Sequence, residues 1–143
     1  MKIQMLCLMI IGLLGSCSSD DSKSDFETDL VGSWKLIQMS GSVPNSETSG
    51  ADMEWQETYR FESDGNFQKS RTREGETVEA SGTYSWSDAS SEPLLELNFN
   101  SDSEIIGSCN QNNLETISFQ SETIFVSTWM ACDGPGLTYK KVD

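Results

Sequence analysis

Glu54-Trp55-Gln56-Glu57-Thr58-Tyr59-Arg60-Phe61-Glu62-Ser63-Asp64-Gly65-Asn66-Phe67-Gln68-Lys69-Ser70-Arg71-Thr72-Arg73 is the stretch from which the fold is read. Trp55, Tyr59 and Phe61 share one parity, with Glu54, Gln56, Thr58, Arg60 and Glu62 on the other, the period of two that sends successive strand side chains to opposite faces. Ser63-Asp64-Gly65 reads as a three-residue hairpin loop with Gly65 left-handed. That loop sets Phe61 opposite Phe67, Tyr59 opposite Lys69, Glu57 opposite Arg71 and Trp55 opposite Arg73. A two-residue turn at Glu74-Gly75 leads into a third strand, residues 77–86. There Val78, Ala80, Gly82, Tyr84 and Trp86 alternate with Thr77, Glu79, Ser81, Thr83 and Ser85. The second turn sets Arg71 opposite Val78, Lys69 opposite Ala80 and Phe67 opposite Gly82.

Working outward, residues 30–40 read as an earlier strand, followed by a polar loop at 41–52 that holds Pro44 and Gly50. Residues 94–100, 104–109, 114–120, 123–131 and 137–142 read as later strands, parted by turns rich in serine, aspartate and asparagine. No segment of useful length carries a helical period. Short, evenly spaced strands with turn residues between them predict an all-β fold, a small antiparallel up-and-down barrel of about eight or nine strands.

The chain opens differently. Lys2 precedes an apolar run from Ile3 to Leu14, too short for a bilayer, which needs about 20 residues, but of signal-peptide length. Leu14-Gly15-Ser16-Cys17 then resembles a lipobox, in which the cysteine thiol takes the diacylglycerol. Residues 1–16 are therefore expected to be a removed export signal, and Cys17 the lipidated N-terminus. One acyl chain binds a membrane only at about 10⁴ M⁻¹, so a stable anchor needs several. Residues 17–28 read as anchor and tether, too polar to pack, and residues 29–143 as the folded domain. Ser18-Ser19-Asp20-Asp21 resembles the signal that sends Bacteroidetes lipoproteins to the outer face of the outer membrane. The expected location is the cell surface, with the periplasmic face as the alternative.

Loss of residues 1–16 removes one of nine basic residues and none of the 23 acidic ones, so the formal charge of −14 becomes more negative. Such acidity disfavours nucleic acid and anionic surfaces as electrostatic partners; the membrane is reached through the anchor. With no histidine in the chain, Ser-His-Asp and Cys-His arrangements and the usual zinc sites are impossible. There is no phosphate-binding glycine loop, because Gly134-Pro135-Gly136 is a turn. Asp64-Gly65 lacks the rest of an EF-hand. Neither an enzyme, nor a metal site, nor a cofactor is expected. Oligomeric state is not written in the sequence.

Cys7 goes with the signal and Cys17 with the lipid, leaving Cys109 and Cys132 for a disulfide in an oxidising compartment. Mid-strand cysteines two strands apart would lie about 9.6 Å from each other, beyond a disulfide's reach. The bridge must therefore join the loops near residues 110–113 and 133–136. The chain-entropy model gives it roughly 3 kcal/mol.

Leu30-Val31-Gly32-Ser33-Trp34-Lys35-Leu36 resembles the Gly-x-Trp opening of lipocalins. More closely, it is similar to the lipocalin-like domain of small Bacteroidetes lipoproteins. Phe61-Glu62-Ser63-Asp64-Gly65-Asn66-Phe67, Gly82-Thr83-Tyr84 and Tyr139-Lys140-Lys141-Val142 match later landmarks of that domain. The resemblance implies that Trp34 plugs one barrel end beside Gly32. Lipocalins proper pack an arginine of the final strand on this tryptophan, where this chain offers Lys140 and Lys141, so their ligand-binding residues do not carry over.

Two functions are weighed. In the first, the barrel binds a small amphiphilic or hydrophobic ligand. Both hairpin registers turn Lys69, Arg71 and Arg73 inward, where they would receive its carboxylate or phosphate. Trp55 would offer Arg73 a cation–π contact, and Tyr59 and Tyr84 would complete the lining. A hairpin projecting beyond the barrel, or a bulge near Ser70, would instead leave the strip in solvent. In the second, the barrel is filled by its own side chains and serves as a structural or protein-interaction module. A roomy lumen favours the first and a filled one the second.

Overall fold

The structure, a computed structural model, describes residues 30–87, 93–110 and 112–143. Nine strands run Gly32–Ser40 (β1), Thr48–Ser49 (β2), Gln56–Phe61 (β3), Asn66–Arg73 (β4), Glu76–Trp86 (β5), Leu94–Phe99 (β6), Leu114–Ser121 (β7), Ile124–Ser127 (β8) and Gly136–Lys141 (β9). Each pairs antiparallel with its neighbours in the order β2-β1-β3-β4-β5-β6-β7-β8-β9, and β9 returns to β1. The result is a closed up-and-down barrel. β2 lies beside the second half of β1, while β3 takes the first half. Closure pairs strand edges that would otherwise invite aggregation.

The hairpin registers are those the turns dictate. Phe61 faces Phe67, Tyr59 faces Lys69 and Glu57 faces Arg71 across β3 and β4. Arg71 faces Val78, Lys69 faces Ala80 and Phe67 faces Gly82 across β4 and β5. Gly65 has φ 87°, and Glu74 and Gly75 have φ 53° and 85°, the doubly positive pattern of a type I′ hairpin. Asp64 accepts from the Asn66 backbone N–H and from its amide, which tightens the first turn and holds the Asp64 carboxyl below its usual range.

Two expected strands take another form. Residues 104–109 are not a strand: Ile105 and Gly107 turn in and are buried, and the segment crosses the end of the barrel. The short apolar stretch that reads as a strand there belongs to a loop with an inward-facing apolar residue. The strand expected over 123–131 stops at Ser127 and becomes the 3-10 turn Thr128–Cys132. Ser127 caps that turn by accepting from the Trp129 N–H.

The core is one cluster that includes Trp34, Leu36, Tyr59, Phe61, Phe67, Leu95, Leu97, Ile117, Phe125 and Tyr139. Ring contacts thread through it: Phe67 meets Phe99 edge-on at 4.9 Å, and Phe125 stacks on Tyr139 at 4.7 Å. Gly82 lets β5 and β6 approach closely, since a Cβ there would collide with the Asn98 carbonyl. No helix among the described residues is long and apolar enough to cross a membrane.

Candidate functional site

At the barrel end reached by the β4–β5 turn, the inward parity of β3, β4, β7 and β9 brings together Glu57, Tyr59, Lys69, Arg71, Glu115 and Tyr139. Lys69 is 1% exposed and its ammonium is ringed by acceptors. Its Nζ donates to Glu115 Oε1 at 2.6 Å and to the Ile105 carbonyl at 2.7 Å, and lies 3.2 Å from Glu57 Oε1. Arg71 donates from Nε to Glu57 Oε2 at 2.5 Å and from Nη2 to the Ile105 carbonyl at 3.2 Å. The tyrosines complete the carboxylates: Tyr59 donates to Glu115 at 2.5 Å and Tyr139 to Glu57 at 2.6 Å. The Gly107 N–H donates to Glu115 at 2.5 Å. Burial, then the neighbouring carboxylate charges, push both tyrosine hydroxyls well above their ordinary range.

Two carboxylates and two cations leave this interior cluster electrically neutral. Desolvating four charges is costly, and such a cluster is tolerated only when nearly every lone pair and N–H is used. Here all four carboxylate oxygens have partners, and the backbone of residues 105–107 supplies two of the cluster's partner groups. The cluster therefore pins that segment over the lumen as a cap.

The cap has a second fastening. Cys109 and Cys132 form the expected disulfide, with Cα atoms 5.5 Å apart, joining the cap to the 3-10 turn after β8. Trp129 of that turn lies between Gly107 and Gly134, where a Cβ on either would strike its ring.

The residues proposed for ligand contact are thus separated. Lys69 is inside, bonded to Glu115 and the Ile105 carbonyl. Arg71 stands at the mouth with its guanidinium 4.3 Å over the Trp55 ring, the contact expected of Arg73. Arg73 is half-exposed at the rim and pairs with Glu54. Tyr59 belongs to the interior cluster. Tyr84 lies toward the opposite end, donating to the Glu62 carbonyl at 2.6 Å and packing edge-on against Phe61. Trp34 is fully buried and donates from Nε1 to the Leu30 carbonyl at 2.9 Å. Gly32 adjoins it with φ 127°, close against the carbonyl of Asp143. Lys141 Nζ lies 6.0 Å from the Trp34 ring, on the final strand where lipocalins proper place an arginine. Cys17 and the segments expected to be the export signal and the tether lie outside the described residues.

Above the cap, a cavity of about 300 Å³ opens between the β4–β5 hairpin and residues 104–105, lined by Arg71, Arg73, Glu74, Glu76, Val78 and Glu104 among others. Both arginines already have carboxylate partners, whereas Glu74, Glu76 and Glu104 make no ion pair among the described residues. The cavity therefore carries an excess of negative charge, the reverse of what a carboxylate or phosphate headgroup requires.

Sequence reasoning passed over Glu115 and the cap. Glu115 was legible in part, because it precedes Ile117 by two positions on β7 and so shares its inward face. Nothing local marks residues 103–107 as a cap, since its partners come from β4 and β7. No protein-family model matches the chain, and no curated protein matches it.

Proposed function

We propose that this chain is a lipid-anchored, non-catalytic module of the outer membrane, presented at the cell surface, which acts through the outside of its barrel and not by enclosing a ligand. The observation that carries this reading is the occupied lumen. Packed aromatic and aliphatic side chains fill one half, and the neutral Glu57–Lys69–Arg71–Glu115 cluster fills the other beneath a fastened cap. A lumen built to receive an amphiphile needs empty apolar volume and an uncommitted polar group at its mouth. The interior cations here are committed to carboxylates.

The second reading keeps a small ligand but moves it to the mouth cavity of about 300 Å³. Its support is that volume together with the apolar floor given by Val78 and Ile105. Native mass spectrometry of full-length protein, purified without refolding, separates the two. The interaction reading expects the bare polypeptide mass plus its acyl groups. A stoichiometric small molecule that survives desalting would replace it with the ligand reading.

A further inference from the structure

β5 is paired along both edges only in its second half. Toward β6 the rungs run from Ser87, whose N–H donates to the Leu94 carbonyl, back to Ser81, whose carbonyl accepts from the Asn100 N–H. Beyond Asn100 the chain leaves the sheet to form the cap. Toward β4 the ladder continues to Arg73 opposite Glu76. Tyr84 donates to the Gly65 carbonyl on the β4 side, so even-numbered residues of β5 bond to β4 and odd-numbered ones point the other way. The N–H and C=O of Thr77 and Glu79 are therefore directed at an open edge, and no described residue pairs with them. This is an open edge about five residues long, the kind of strand edge on which another chain can pair.

The charge around this edge selects its partner. Glu76 and Glu79 lie on it, and Glu74 and Glu104 stand at the adjoining cavity; none makes an ion pair among the described residues. A second copy of a chain with formal charge −14 would bring like charges together on pairing, the arrangement by which proteins guard exposed edges against themselves. An extended segment carrying lysine or arginine meets complementary charge on both sides of the strand. We propose that residues 76–80 of β5 accept a basic, extended segment of a partner protein as an added strand. The backbone of Thr77 and Glu79 would supply the hydrogen bonds and the surrounding glutamates the selectivity. This inference rests on the interaction-module reading and names its surface.

The test uses the full chain in neutral detergent and a fluorescent peptide of about eight residues alternating lysine with threonine, a length that covers such an edge. Its glutamate–threonine counterpart and an N-methylated version serve as comparisons. Bound lysine peptide is expected to slow amide exchange at Thr77 and Glu79, to weaken with salt, and to outbind both comparison peptides. Thr77→Pro removes an outward N–H without touching the β4 ladder and should weaken binding about three- to tenfold for each hydrogen bond lost. Glu76→Gln with Glu79→Gln should weaken it further and flatten the salt dependence. Unchanged affinity of the N-methylated peptide, or protection elsewhere than Thr77 and Glu79, overturns the proposal whether or not the proline variant folds. Self-association of the full chain that Thr77→Pro abolishes would also overturn it, by assigning the edge to a second copy. A co-purifying small ligand defeats the parent reading alone. A bare polypeptide whose β5 edge ignores the peptide defeats only this assignment.

Discussion

Lys69 is buried with its ammonium hydrogen-bonded to Glu115 and the Ile105 carbonyl and ion-paired with Glu57. Lys69→Met keeps the apolar stem and removes the charge, leaving two buried carboxylates with Arg71 as their only interior cation. Breaking one member of a buried ion network costs about 3 to 5 kcal/mol, so a shift of that size in the urea-unfolding free energy is expected. Adding Glu115→Gln should recover part of the loss, and no recovery would mean that Glu115 is not the principal partner. Tyr59 and Tyr139 give the same cluster an alkaline limit. Burial and the neighbouring carboxylates hold their hydroxyls well above the ordinary tyrosine range, so the fold favours the protonated form. Their contribution is complete below pH 10.0 and is lost as the pH rises through the raised folded values. Urea midpoints should fall in alkali as tyrosinate absorbance appears, and Tyr139→Phe should make that fall shallower. Tyrosinate forming at its ordinary pH with the fold intact would contradict the geometry.

The cap and the 3-10 turn after β8 act as a pair. Cys109–Cys132 ties them covalently, and Trp129 fills the space between Gly107 and Gly134. Reducing the bridge should lower stability by about 3 kcal/mol in the chain-entropy model. It should also speed amide exchange at Gly107 before exchange quickens in β3 and β4, because the cap is held by fewer contacts than the sheet. Uniform acceleration across all strands would show the cap to be inseparable from the barrel. β5 carries the other element-scale constraint. At Gly82 its backbone approaches β6 so closely that Gly82→Ala must displace the Asn98 peptide, an overpacking expected to cost about 1 to 3 kcal/mol in thermal or urea unfolding.

For the whole molecule, the proposed anchor and the filled barrel divide the work: one holds the protein at a membrane, the other presents a stable acidic surface. Cys17→Ser tests the first part. The variant should leave the membrane fraction and incorporate no palmitate, whereas wild type should stay with the membrane and take up the label. Retention of the variant, together with an unlabelled wild type, would remove the anchor from the proposal. Strong negative charge also gives any partner association a salt dependence, since attraction between surfaces fades over a Debye length of about 8 to 10 Å.

The alternation in residues 54–73 and the two turns were enough to determine the registers of three strands by themselves. A strand's side-chain period is two, and a turn of fixed length admits one pairing; that is why Lys69 could be placed inside beside Tyr59. The disulfide was legible because a chain read as exported, with two cysteines left in its folded part, has few other uses for them. Tertiary structure alone decided what the inward cations meet. Glu115 lies on β7, 46 positions from Lys69, and only the closed barrel brings that strand across the lumen. The same closure turned residues 104–109 from an expected strand into a cap, because the ends of charged side chains at the mouth needed backbone partners that no neighbouring strand supplied. It also left the first half of β5 without a second partner. Local periodicity fixes the face a side chain takes, but the contacts across the lumen depend on where the chain closes, which no short stretch of sequence contains.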